Sequence, residues 1–412
     1  MKRLILLSLL ALFVLPHLEA QLTIDGQIRP RAEFRNGYKK SQTVTGESPE
    51  FVVSQRSLVG FSFKNSISGH LSFQDVRTWG ETAVKKDNPS LLLKEAWIEI
   101  PAGKLSFKIG RQILKYDNQR ILAVTNWNQV GTQHDLLLVK YKNNNFTSHL
   151  GLAYNNESAS NYFEDYYPVP YYKALGLLWI HFPVAGKADI SLLGVTDLNA
   201  VENTKSTYYQ RYTLGGNLDL KPVDAFSFHT TFYLQRGKNP VGQKVKAYLW
   251  ATRATYNFSK ATNVFAGTDL ISGDDPGSTV TETHKFDILY GSRHKYLGSM
   301  DYFPLSQSGI FDGFAGSGLT FKDKYKVELS LHNFFLPQNY TSTAVPSGKL
   351  DSYLGTEFDV SLAFNLSKDT QLMFLHGLMF GTSSMDVVKG GTHDKLSNYA
   401  VLQLTWTPSF SF

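Results

Sequence analysis

From Leu22 to Arg35 apolar and polar side chains alternate without a slip. Leu22, Ile24, Gly26, Ile28, Pro30, Ala32 and Phe34 form one row, and Thr23, Asp25, Gln27, Arg29, Arg31, Glu33 and Arg35 the other. A period of two is that of a β-strand with one face in an apolar medium and the other in a polar one. Pro30 lacks a ladder donor and predicts a bulge there. The pattern returns along the chain. Tyr325, Val327, Leu329 and Leu331 oppose Lys326, Glu328, Ser330 and His332. Leu354, Phe358, Val360, Leu362 and Phe364 oppose Glu357, Asp359, Ser361 and Asn365. Tyr212, Leu214, Leu218 and Leu220 oppose Arg211, Thr213, Asn217 and Asp219.

Such segments number about eighteen, an even count within the range of transmembrane barrels. They are predicted over 22–35, 51–63, 69–79, 91–100, 104–112, 134–142, 146–154, 173–183 and 187–197. The remainder are 207–220, 225–236, 246–258, 263–272, 310–320, 325–335, 354–364, 369–380 and 397–412. Links of three or four residues (101–103, 143–145, 184–186, 221–224, 259–262, 322–324) alternate with long ones such as 36–50, 113–133, 155–172, 273–309 and 336–353. Short turns on one side and long loops on the other are what a barrel threaded through a bilayer requires. No helical periodicity competes with this reading. The expected fold is all-β: a transmembrane antiparallel barrel with short periplasmic turns and longer extracellular loops. Open sheet edges do not survive in lipid, so the strands must close. The apolar rows then face lipid and the polar rows a water-filled lumen.

Composition sharpens the picture. Residues 1–20 give a basic start, an apolar run from Leu4 to Leu15 and a small residue at Ala20, which reads as a secretory signal peptide cut near Ala20. Residues 21–412 are then a single barrel domain. The run is too short to span a bilayer as a helix, and no later apolar stretch reaches 18 residues. Losing Lys2, Arg3 and Glu19 with the leader lowers the net charge from +6 to +5. That mild, dispersed basicity does not indicate nucleic-acid binding. Cysteine is absent, which excludes disulfides, a lipoprotein anchor and thiolate zinc sites. The final strand, ending in Phe410 and Phe412, resembles the terminal signal by which assembly machinery recognises outer-membrane barrels, so that machinery is an expected partner. The expected location is the outer membrane of a Gram-negative bacterium.

By parity Arg29, Arg31, Arg35, Arg56, Arg211 and Arg253 point into the lumen, together with Asp25, Glu33, Glu95, Glu99, Asp219, Glu357 and Asp359. Charged lumen walls set solute selectivity, and the arginine fork binds carboxylates bidentately. The arginines therefore predict passage of an anionic solute, with a uronate as one candidate, unless lumen acids neutralise them and leave a general porin of weak selectivity. Catalytic motifs are missing. A barrel hydrolase would need a Ser–His pair, and His149 with Ser148 or Ser227 is the nearest combination, although Ser148 faces the other side. A closed structural barrel is the remaining reading. Asp269, Asp274 and Asp275 in "GTDLISGDDPGS" read as a turn in which Asp274 and Asp275 offer hard oxygens to Ca²⁺. The tyrosine- and acid-rich stretch 154–172 reads as part of the headgroup belt. Whether 273–309 folds inward as a plug is open from sequence.

Residues 108–135 carry Gly110, Arg111, Gln112, Asp117, Gln119, Arg120, Trp127 and Asp135, supported by Gln74 to Gly80, by Glu95 and Ala96, and by Gly355, Glu357 and Asp359. In that order they resemble the alginate-export family of outer-membrane channels. The resemblance implies an eighteen-stranded monomer passing an anionic polysaccharide by facilitated diffusion. It implies Arg77, Glu95, Arg111 and Arg120 as pore residues. Arg77 and Arg111 have the wrong parity for a regular strand, so their placement in the pore requires bulges or infolded loops.

Overall fold

The computed structural model describes residues 21–412, apart from 46, 82–89, 157–171, 185, 202–206 and 279–280. The leader expected over 1–20 and most of the tyrosine-rich stretch lie outside the described residues. The period-two segments form antiparallel strands: β1 (Gln21–Asn36), β2 (Glu50–Lys64), β3 (Ser68–Thr78), β4 (Leu92–Ala102), β5 (Leu105–Gln112) and β6 (His134–Lys142). Next come β7 (Thr147–Tyr154), β8 (Ala174–Val184), β9 (Ala188–Ala200), β10 (Tyr208–Val223), β11 (Phe226–Lys238), β12 (Lys244–Asn257) and β13 (Thr262–Ile271). The last are β14 (Glu282–Thr283), β15 (Ile310–Phe321), β16 (Tyr325–Phe335), β17 (Tyr353–Asn365), β18 (Thr370–Gly381), β19 (Ser397–Trp406) and β20 (Ser409–Ser411).

β1 pairs with β2 on one side and with β19 and β20 on the other, which closes the sheet. β14 only adds two residues in parallel to β12, and β19 and β20 are one stave interrupted at Thr407 and Pro408. The barrel is therefore eighteen-stranded. At the seam Phe412 N donates to Leu22 O at 2.8 Å and Leu22 N to Phe412 O at 3.2 Å. The expected single strand 397–412 is thus two pieces, because Pro408 has no donor. Pro30 causes no bulge. The ladder to β19 skips Arg29 and Pro30 and resumes unshifted at Arg31↔Gln403, while the register with β2 is unbroken. A helix that periodicity did not predict, α1 (Ser383–Lys389), sits between β18 and β19. Thr382 caps it by accepting from Met385 N at 3.4 Å.

Across the middle of the wall the outward row is apolar: Ile28, Leu152, Leu192, Leu214, Phe232 and Trp250 are all exposed. A belt of this extent is stable against hydrocarbon and not against water. The inward row departs from the polar lumen expected. On β6, β8, β9 and β12 the inward positions include Leu136, Leu138, Leu175, Leu177, Leu193, Val195, Val245 and Leu249, all buried. Two long links cover them from inside. Loop A (113–133) contributes Leu114, Ile121 and Leu122, and loop B (284–309) contributes Phe286, Ile288, Leu297, Met300 and Phe303. Burying each such side chain contributes about 1.5–3 kcal/mol, which draws both loops into the barrel.

The two faces respond oppositely to charge. Leu192→Arg on the outer face is expected to lower the free energy of folding into vesicles by about 2–4 kcal/mol in a urea titration. An arginine at Asp189, which is inward and solvated, is expected to cost little in the same titration.

Candidate functional site

Loop A is held by three of the lumen arginines. Arg29 donates from Nε and Nη2 to Gln129 Oε1 at 2.9 and 2.7 Å, and from Nη1 to the Asn126 carbonyl at 2.7 Å. Arg56 Nη1 donates to Asn126 Oδ1 at 2.9 Å. Arg31 donates to the Trp127 carbonyl at 2.7 Å, pairs with Glu33 at 3.0 Å, and lies 4.6 Å from the centre of the Trp127 ring. Guanidinium is suited to this work, because one fork satisfies several loop oxygens that would otherwise be buried without donors. The far wall grips the loop as well. Trp179 Nε1 donates to Asp117 at 2.8 Å, Asn118 Nδ2 to Thr231 at 2.6 Å, and Arg120 pairs with buried Asp269 at 2.6 Å. Glu95 accepts from Ile113 N at 3.2 Å where the loop leaves β5.

Loop B is held by acids. Glu357, fully buried, accepts from Met300 N at 2.7 Å, and Asp359 accepts from Ser299 N at 3.1 Å. Gly298 has φ +78°, and a Cβ there would lie 2.4 Å from Glu357 Oε1, so only glycine lets the backbone approach this carboxylate. Arg211 binds Asp197 at 3.0 Å on the wall and Asp287 at 2.7 Å in the loop. The loops also brace one another. Ala123 N donates to Tyr290 O and Tyr290 N to Ile121 O, both at 3.1 Å. Trp127 stacks on His294 with ring centres 3.7 Å apart.

Arg29, Arg31, Arg56, Arg120, Arg211, Glu95, Glu357 and Asp359 thus all touch an inward loop or its root. Arg35 is paired with Glu33 at 2.7 Å. Arg77 and Arg111 lie on the outer face, in register with Gln55 and Ala96, and pair there with Asp75 at 2.6 Å and Asp135 at 2.8 Å. The one bulge near them, at Lys94 in β4, does not turn either inward. Their implied place in the pore is therefore corrected. Arg253 and Asp359 line an unfilled space, Arg253 with its guanidinium 3.8 Å from the Phe265 ring centre.

That space is a cavity of about 120 Å³ bordered by Arg253, Lys295, Tyr296, Glu328, His332 and Asp359. Lys295, which borders this cavity, and Lys115 on loop A are loop residues that strand parity could not find. Lys295 Nζ donates to the Asn118 carbonyl at 3.1 Å. Its pKa is lowered, first by burial and then by the charges of Arg120, Lys115 and Arg253. A signal for the inward loops was present in the apolar density of 286–305, "FDILYGSRHKYLGSMDYFPL", which is unusual for a solvated loop.

Two other sequence candidates have different partners. Asp274 accepts from Thr283 Oγ1 at 2.7 Å and Gln307 Nε2 at 2.8 Å, and Asp275 from Thr341 N at 2.8 Å. Their oxygens serve to close the loop. His149 bonds the Tyr116 hydroxyl at 3.0 Å.

The whole is a closed porin-like barrel narrowed by two inward loops. No family model matches the chain, and no curated protein matches it in sequence. Its fold is shared with solved barrels at low identity. Acinetobacter baumannii OccAB1 superposes with a TM-score of 0.66 at 11% identity, over 95% of this chain and 97% of that one. OprD from Pseudomonas aeruginosa gives 0.63 at 10%, over 94% of each chain. Pseudomonas aeruginosa OpdK, solved with vanillate, gives 0.62 at 10%, over 94% and 99%. The eighteen-stranded porin-like fold is thereby established. The narrower alginate-export resemblance gains no support from these comparisons.

Removing the Arg29 fork strands several loop acceptors. Arg29→Ala is expected to cost on the order of 3 kcal/mol and to lower the melting temperature followed by circular dichroism. Gly298→Ala, which drives a methyl into Glu357, is expected to lower it as well, and a Gly348→Ala control in an open turn with the same positive φ much less.

Proposed function

We propose that the protein is an outer-membrane channel passing small anionic solutes by diffusion, with Lys115, Lys295 and Arg253 as the selecting cations. One observation carries this reading. With most lumen arginines engaged by loops or acids, Lys295 and Arg253 remain at the cavity and Lys115 lies close enough to act on Lys295, and among the described residues none of the three has a carboxylate within ion-pair distance. Cations presented at a narrow, partly dehydrated aperture attract anions strongly. A cavity of about 120 Å³ supports a small carboxylate more readily than a uronate polymer. An aromatic acid of the size of the vanillate bound to OpdK is a suitable probe. The reading is that of a channel and not of an enzyme.

Glu328, Asp312 and Asp359 border the same cavity and favour a second reading, a general porin whose fixed charges largely cancel. Single-channel recording of the refolded protein under a KCl gradient separates the two. Anion-selective current, blocked by vanillate and reduced in selectivity by Lys295→Gln/Arg253→Gln, is the expected result. Current of weak selectivity, indifferent to both, would leave the general porin. The lowered Lys295 pKa adds a pH signature. As pH rises, its charge, and the anion preference it supports, should be lost earlier than the charge of an ordinary lysine.

A further inference from the structure

The hairpin of β11 and β12 carries four basic residues on its outward face, at the rim where the long loops lie. Arg236 stands opposite Lys246, and Lys238 opposite Lys244. All four are exposed. Like charges directly across a ladder are destabilising. Among the described residues none of the four has a carboxylate within ion-pair distance, although Glu282 is the backbone neighbour of Lys244. Arg236 Nη1 reaches the Gln235 carbonyl at 2.8 Å and the Ala247 carbonyl at 3.4 Å, and Lys238 lies 5.1 Å from the Tyr209 ring centre. Two unneutralised like-charge pairs facing away from the lumen call for an external anion.

Directly beneath them the apolar wall is indented. A groove of about 690 Å³ runs across β8 to β11, walled by Leu178, Leu192, Leu214, Phe232 and Leu234. Gly194 and Gly216 also line it. Leu234 precedes Arg236 by two residues on the same face, so the groove begins about 7 Å below the cations. Tyr212 and Tyr248, paired with Arg236 and Leu234, mark the level where headgroup meets hydrocarbon.

We propose that this cationic row and the groove below it form one binding site for a phosphorylated lipid of the outer leaflet. Its phosphate would sit on the Arg236, Lys238, Lys244 and Lys246 row, and an acyl chain would fill the groove. Cations alone would suit a soluble anion, and the groove alone would suit any hydrocarbon. Their stacking suits a molecule with both parts. A second copy docking here by a two-fold contact would bring eight cations together and is disfavoured. The proposal rests on the outer-membrane orientation proposed above and not on the solute.

The test is binding of bisphosphorylated lipid A to the detergent-solubilised chain, followed by native mass spectrometry. Saturable binding that survives excess inorganic phosphate and weakens at least about tenfold when the lipid is dephosphorylated is the expected result. Arg236→Gln/Lys246→Gln should weaken it about tenfold. Gly194→Leu, where a new Cβ meets only the flexible Leu214 side chain at 3.1 Å, should weaken it through the groove. Heat-modifiable migration on gels confirms that each variant is folded. Equal binding of the dephosphorylated lipid, displacement by inorganic phosphate, or unchanged affinity when all four cations are replaced by glutamine would each overturn the proposal. Single-channel conductance of that quadruple variant should match the parent, so failure here is distinguishable from failure of the channel reading.

Discussion

Closure of the sheet is the constraint on which everything else depends. In hydrocarbon a peptide group without a partner costs several kcal/mol, so every strand needs two neighbours, including the first and last. The seam between β1 and the β19–β20 stave meets that demand even where Thr407 and Pro408 interrupt it, through the reciprocal Leu22 and Phe412 bonds. Once the wall is closed, the inward row is isolated from lipid and free to carry buried charge. It is on this enclosed surface that Arg29, Arg56 and Glu357 can be committed to holding loops.

The use of charge inside the barrel is divided. Arginines on β1 and β2 receive loop carbonyls and amides, and acids on β17 receive loop N–H groups. Each charged group is buried in company with several complementary dipoles, the condition under which burial of charge is tolerated. Of the cations left at the cavity, Lys295 comes from loop B, with Lys115 of loop A acting on it, and Arg253 is the wall's contribution. On the proposed reading, selectivity and architecture are carried by different residues.

Period-two alternation made the barrel legible because lipid and lumen impose opposite demands on adjacent side chains. The parity of Arg29, Arg56, Glu357 and Asp359 was read with the correct face. Parity also disagreed with the pore positions implied for Arg77 and Arg111, and the outward pairing with Asp75 and Asp135 sides with parity. What alternation cannot express is how a loop folds back. The roles of Arg29 and Glu357 depend on partners about a hundred and about sixty residues away, Gln129 and Met300. Lys115 and Lys295 lie on segments with no period at all. The apolar inward positions on β6 to β12 were the visible trace of those loops, since a lumen full of water has no use for Leu177 or Leu249.

The bracing of loop A against loop B carries a further consequence, for the order of assembly. Loop A needs Arg29 and Arg56 from the first hairpin, Trp179 and Thr231 from the middle of the chain, and Asp269 beyond it. Loop B needs Glu357 near the end of the chain, and its His294 ring needs Trp127. Neither can find its native seat on a partly built wall. Seating of the two loops is thus coupled to assembly of most of the wall, from β1 to β17, and no single hairpin carries a complete set of their contacts.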